Sequence, residues 1–140
     1  MRNSQPFVII SPLRTEMNSM EIANALSSFR TSLNKLGLRY REVKGYYKGN
    51  SEIAFIIPLQ TKTKVTNKGT VDSIDMQRKC LLSLAHHYSQ ECILEVHQNI
   101  GYLVTPAGEE KRLGPLKRYN LDNAKKLDNY FVFNGFAYSA

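Results

Sequence analysis

The stretch "LRYREVKGYYKGNSEIAFIIP", residues 38–58, decides the fold. Leu38, Tyr40 and Val43 alternate imperfectly with Arg39, Arg41 and Lys44, the pattern of a half-buried strand with an irregularity near Val43. "KGN" then supplies a short turn, and "SEIAFIIP" continues as an apolar strand. Together they predict a hairpin. The placement of one carboxylate, Glu52, is unusual. It opens the run Ile53, Ala54, Phe55, Ile56, Ile57, with the phenol of Tyr47 just across the turn.

Upstream, "PFVIIS" (6–11) reads as a buried strand ended by Pro12. Asn18 and Glu21 have the spacing of a capping box. Ile22, Leu26, Phe29, Leu33 and Leu36 follow at helical spacing, and Gly37 ends that helix. Downstream, "LQTKTKVTNKGTV" (59–71) reads as a mobile polar loop. Asp72 or Ser73 caps a second helix that runs to about Gln90. "ECILEVHQ" (91–98) alternates as a strand, and Asn99 turns it into "IGYLVTP". Residues 107–126 look loop-like, and "YFVFNGFAYSA" carries the Asn134-Gly135 signal of a tight hairpin.

The expected order is β-α-β-β-α-β plus an extra strand and a terminal hairpin, in one domain over residues 1–140. The fold class is therefore α+β, with the split β-α-β, ferredoxin-like arrangement of an antiparallel sheet. Both helices should pack on one face of the sheet. The other face, expected to carry Ile93 with Tyr or Phe neighbours, should be bare and should invite oligomerisation.

Composition excludes several classes. Hydrophobic content is 42% and charged content 22%, outside the disordered and fibrous ranges. No apolar run approaches the ~20 residues of a membrane helix. The amino terminus lacks a signal-peptide core, so a cytoplasmic protein with no membrane partner is expected. Cys80 and Cys92 form no CxxC and read as small buried hydrophobes. Phosphate loops, nucleophile elbows and HExxH are missing, and His86, His87 and His97 are poorly spaced for a metal. The net charge of +7 is dispersed and reads as a solvated surface.

The carboxylates carry the remaining interest. Glu91 and Glu95 share one face of their strand. The strand of Glu52 is expected at one sheet edge and that of Glu91 at the other, so the two acids would meet only across an oligomer interface. On periodicity alone, the favoured reading of all three is ordinary solvated edge charges that discourage aggregation.

Four pieces, in order, resemble the small phage-encoded enzymes that degrade S-adenosylmethionine, formerly called hydrolases and now regarded as lyases. "VIISPLR" (8–14) is similar to their opening strand, ending Ser-x-x-Arg. "GYY" (45–47) is similar to a Gly-x-Tyr ahead of the hairpin, and "SEIAFII" (51–57) to a Glu that starts the next strand. "YSQECILEV" (88–96) is similar to an aromatic, then Gln and an acid, then an apolar strand.

The resemblance implies a homotrimer with ligand sites between subunits and S-adenosylmethionine as substrate, not cofactor. It implies catalytic roles for Tyr47, Glu52 and Glu91, with Tyr46 and Glu95 as alternates, and substrate contacts from Ser11, Arg14 and Gln90. Phe55 and Ile53 would form a dry wall. The implied reaction gives methylthioadenosine and homoserine lactone by attack of the substrate's own carboxylate, and the implied role is counter-restriction by depleting the methyl donor. A hydrolase giving homoserine, a trimeric non-catalytic sensor, and a nucleic-acid module stacking bases on Phe55 and Tyr102 remain open. The resemblance itself implies no nucleic-acid partner.

Overall fold

The structure is a computed structural model that describes residues 5–47, 50–60 and 73–140, with Tyr47 described through its backbone alone. The turn at 48–49 and most of the loop expected at 59–71 lie outside the described residues. The elements are β1 (Phe7–Ile10), α1 (Ser19–Lys35), β2 (Arg41–Tyr47), β3 (Asn50–Pro58), α2 (Ile74–His87), β4 (Ile93–His97), β5 (Ile100–Val104), β6 (Glu110–Pro115), β7 (Lys117–Tyr119), α3 (Leu121–Ala124), β8 (Asn129–Phe133) and β9 (Phe136–Ser139).

Local chemistry accounts for most of these boundaries. Asn18 Oδ1 accepts from the Glu21 amide at 2.8 Å, and Glu21 Oε1 accepts from the Asn18 amide at 3.1 Å. This reciprocal cap starts α1 and contributes about 1 kcal/mol. Ser73, not Asp72, caps α2 by accepting from the Met76 amide at 3.1 Å. Two tight hairpins follow from paired positive-φ residues: Gln98 and Asn99 between β4 and β5, and Asn134 and Gly135 between β8 and β9.

The nine strands form one antiparallel sheet in the order β6-β5-β4-β1-β3-β2-β8-β9-β7. Its register puts Val8 opposite Ile57 and Ile10 opposite Phe55, so these side chains share a face. They pack with Ile93 and Val104 against Leu26, Phe29 and Leu33 of α1 and Leu81 and Ala85 of α2. Both helices thus cover one face, as the sequence predicts. Phe7, Val43, Ala54, Ile56, Val96 and Phe131 form a second core on the opposite face.

That second face is not bare, which corrects the expectation. The sheet curls around it. Its outermost strands, β6 and β7, are separated in sequence by Leu116 alone, and the Leu116 amide donates to Asn99 O at 2.8 Å. Near the same seam, a Cβ built on Gly101 would lie 2.6 Å from Ala140 Cβ. The absent side chain lets the carboxyl-terminal strand close over β5. Ile93 is buried at 2% exposure under the helices, not displayed for a partner.

Three further expectations fail. Neither β3 nor β4 is an edge strand, because β3 pairs with both β1 and β2, and β4 with both β1 and β5. Residues 107–126 are not simply loop: they hold β6, β7 and α3. Cys80 and Cys92 are free and half-buried, not fully buried. Among the described residues, no helix is long and apolar enough to cross a membrane.

Candidate functional site

Register alone brings Glu52 to the concave face. Its parity is that of Ala54 and Ile56, and its partner across the ladder is Gly45. Gly45 brings no side chain, so the space above the Glu52 carboxyl stays open. A cavity of about 420 Å³ occupies that end of the curled sheet. Ser11, Gly45, Tyr46, Glu52, Gln90 and Cys92 line it from one side. Leu127, Asp128, Asn129, Tyr130, Ser139 and Ala140 close it from the other, over a floor of Ile9, Leu94 and Phe131.

Hydrogen bonds fix the near wall. Ser11 Oγ donates to Ile53 O at 2.9 Å and accepts from the Leu13 amide at 3.2 Å. Gln90 Nε2 donates to Leu13 O at 2.9 Å, tying the end of α2 to the segment after β1. The Ser-x-x-Arg and Gln-acid motifs therefore meet at one junction beside Glu52. Tyr46 and Tyr130 are ladder partners whose rings stack with centroids 4.5 Å apart, and the register with Ser51 sets those rings on the face opposite Glu52.

Burial pushes the Glu52 carboxyl above the ordinary carboxylate range, and a hydrogen bond from Ser11 opposes part of that rise. Ser11 has one hydroxyl proton, which here goes to Ile53 O, so this support for the anion is weak. Burial, reinforced by the nearby charge of Glu91, also raises the Cys92 thiol. Cys92 thus stays a thiol at neutral pH and makes a poor nucleophile.

The remaining sequence candidates scatter. Arg14 pairs with Glu16 at 3.3 Å and lines a separate hollow of about 570 Å³, whose wall also includes Glu52. Glu52 thus stands between two depressions. Glu91 is exposed and lines neither. Glu95 is 2% exposed on the helix-covered face, where its Oε1 meets Arg78 Nε at 2.7 Å. Phe55 is fully buried against Phe29 and Tyr40, at centroid distances of 4.9 and 5.5 Å. It lines neither of these two cavities and, fully buried, is closed to a stacking base. Tyr102 stacks on His97 at 4.6 Å. The side chain of Tyr47 lies outside the described residues; its backbone pairs with Asn50 and Asn129.

Sequence reasoning missed Asp128 and Tyr130. The signal was present: "LDNYF" repeats the pattern of "SEIAF", an acid just ahead of an apolar strand. Among the described residues lining the cavity, Glu52 and Asp128 are acidic and none is basic. The chain as a whole carries +7, so this cavity reverses the prevailing charge. It suits a cation of moderate size with an apolar body. Among the described residues, no group of three or more His, Cys, Asp or Glu side chains could hold a metal.

A family model described as the S-Adenosylmethionine lyase family matches residues 8–140. No curated protein matches the chain.

Proposed function

Because the chain belongs to the S-adenosylmethionine lyase family, we propose that it cleaves S-adenosylmethionine to methylthioadenosine and homoserine lactone, with the substrate held in the cavity beside Glu52. The observation that carries this placement is the reversed charge: a cavity with two carboxylates and no basic side chain among its described lining, in a protein of +7. Its volume of about 420 Å³ falls within the roughly 300–1,000 Å³ of small-molecule sites.

S-Adenosylmethionine brings a sulfonium, an ammonium and a carboxylate. In the proposed step a carboxylate oxygen attacks the substrate's own γ-carbon. The carbon–sulfur bond breaks and its electron pair stays on sulfur. A five-membered lactone forms, neutral methylthioadenosine leaves, and no proton moves. The protein needs no nucleophile and no water; it needs to bend the methionine tail. Orientation of this kind supplies about 7–11 kcal/mol in the best intramolecular cases.

Glu52 takes the ammonium, leaving the substrate carboxylate free to react. A unit positive charge about 4 Å from the Glu52 carboxylate gains roughly 4 kcal/mol at an effective dielectric near 20, before desolvation. The raised proton affinity of Glu52 fits an acid that lacks a counter-charge until a ligand supplies one. Tyr46 stays a candidate for substrate contact at the cavity rim. Ser11 and Gln90 hold the wall in place. Tyr47 and Arg14 stay candidates for substrate contact, whereas Glu91, Glu95 and Phe55 lie off the cavity and are not proposed as contacts there.

A hydrolase is the second reading, favoured by one observation. A carboxyl with raised proton affinity also suits a general base that activates water.

The ferredoxin-like reading is supported by the central order β4-β1-β3-β2. The homotrimer rests on the family resemblance alone, because the supposedly bare face is covered. A phage counter-restriction role in a host cytoplasm belongs to the same proposal. The test is to incubate the purified protein with S-adenosylmethionine, without metal, in oxygen-18 water. Methylthioadenosine with unlabelled lactone supports the lyase. Homoserine labelled from the first turnovers supports the hydrolase, and binding without any methylthioadenosine would leave a sensor.

A further inference from the structure

At the opposite end of the curled sheet lies a second cavity, of about 530 Å³, whose lining includes Gln5, Asn34, Arg39, Arg41, Ile56 and Phe133. Its charge is the inverse of the Glu52 cavity: two arginines and no acid among the described lining residues. We propose that this cavity binds a phosphate-bearing small molecule of nucleotide size, with Arg39 and Arg41 holding the phosphate.

Three observations support the assignment. Arg41 sits opposite Ile56 in the ladder, so it faces the concave side, and Arg39, just ahead of β2, lines the same cavity. Two guanidinium groups lining one cavity can share one phosphate or bridge two. Second, neither arginine has an ion pair among the described residues. The nearby carboxylate that could neutralise them, Glu42, points to the other face and is held by Arg30 at 3.0 and 2.7 Å. Burial of a ligand phosphate would therefore meet positive charge that no protein acid has already satisfied.

Third, the cavity is built, not merely charged. The Arg41 guanidinium lies 5.8 Å from the Phe133 ring centroid, within cation–π range. Asn34 and Gln5 add amides that can read a polar rim. The volume exceeds that of a bare phosphate ion and suits a mononucleotide. Arg118, by contrast, stacks at 4.5 Å on Phe136 but lines none of the three cavities described. It provides an internal control for charge and stacking without a pocket.

The test is calorimetric titration of the full-length protein with AMP, ATP, adenosine and inorganic phosphate, each alone. Saturable binding of AMP or ATP is expected, with adenosine and inorganic phosphate each at least tenfold weaker. The double variant Arg39→Gln/Arg41→Gln should weaken nucleotide binding at least tenfold. The control Lys117→Gln/Arg118→Gln, which removes the same charge elsewhere, should leave it within twofold. Thermal unfolding of both variants checks that they fold. Methylthioadenosine release from S-adenosylmethionine should persist in the arginine double variant, so failure here is separate from failure of the lyase reading. The proposal is overturned by the absence of saturable nucleotide binding, by equal losses in both double variants, by inorganic phosphate binding as tightly as AMP, or by a single-stranded oligonucleotide binding far more tightly than either.

Discussion

Glu52 and Glu95 are both acids on strands of one sheet, and their fates differ. Glu95 lies on the helix-covered face at 2% exposure, with Arg78 Nε at 2.7 Å. Arg78 is shared with Glu110 at 3.0 Å, and His97 Nε2 approaches Glu95 at 3.7 Å. This charge is already committed to the protein. Glu52 lies on the concave face beside a cavity, opposite a glycine, and no ion pair reaches it among the described residues. Burial of an acid without a counter-charge raises its proton affinity and leaves its charge available to a ligand. A carboxylate's promise as a binding group thus depends less on its strand than on whether the protein has already neutralised it.

The contrast can be broken most severely on the Glu95 side. Arg78→Ala strands a buried carboxylate, and loss of one partner of a buried pair costs about 3–5 kcal/mol. Chemical denaturation should show that loss, with turnover per folded molecule retained. Next in size is Gly101→Ala. Its new Cβ meets Ala140 at 2.6 Å, so the closing strand must shift. Overpacking of this kind costs about 1–3 kcal/mol. Because Ala140 lines the Glu52 cavity, the KM for S-adenosylmethionine should change as well.

Smaller effects sharpen the Glu52 side. Asp128 is an exposed acid on the cavity rim, and exposed charge pairs contribute about 0.2–1 kcal/mol. Asp128→Asn should therefore raise KM at most about fivefold, read from initial rates. The smallest effect concerns stability against pH. Below the ordinary carboxylate range, folded and unfolded chains both hold the Glu52 proton. Between that range and the raised folded value only the folded chain keeps it, so stability falls as pH rises through this window. Glu52→Gln should abolish that fall and leave the melting temperature at neutral pH unchanged or higher.

Much of this was legible in the sequence where local chemistry governs. The Asn18 cap, the helical spacing of Leu26, Phe29 and Leu33, and the Asn134-Gly135 turn depend on near neighbours, and each appears as read. What failed depends on distant parts of the chain. β6 and β7, from "EKRLGP" and "KRY", show little apolar alternation, because edge strands at the seam are mostly exposed. Without them the sheet could not be seen to curl, and its second face looked bare. The same omission hid Asp128 and Tyr130, which line the Glu52 cavity only because β8 docks beside β2. Glu95 misled because strand parity shows that it shares a face with Ile93, not that α2 brings Arg78 onto it.

The measurement that bears most directly on the Glu52 cavity is methylthioadenosine release by two variants, Glu52→Gln and Glu95→Gln, scaled to the folded fraction of each. If Glu52 holds the substrate cation, its variant should lose about 100-fold or more in kcat/KM, the scale of one lost preorganised electrostatic contact, and Glu95→Gln should stay near the parent value. Full activity in Glu52→Gln, or a larger loss in Glu95→Gln, would place the substrate elsewhere.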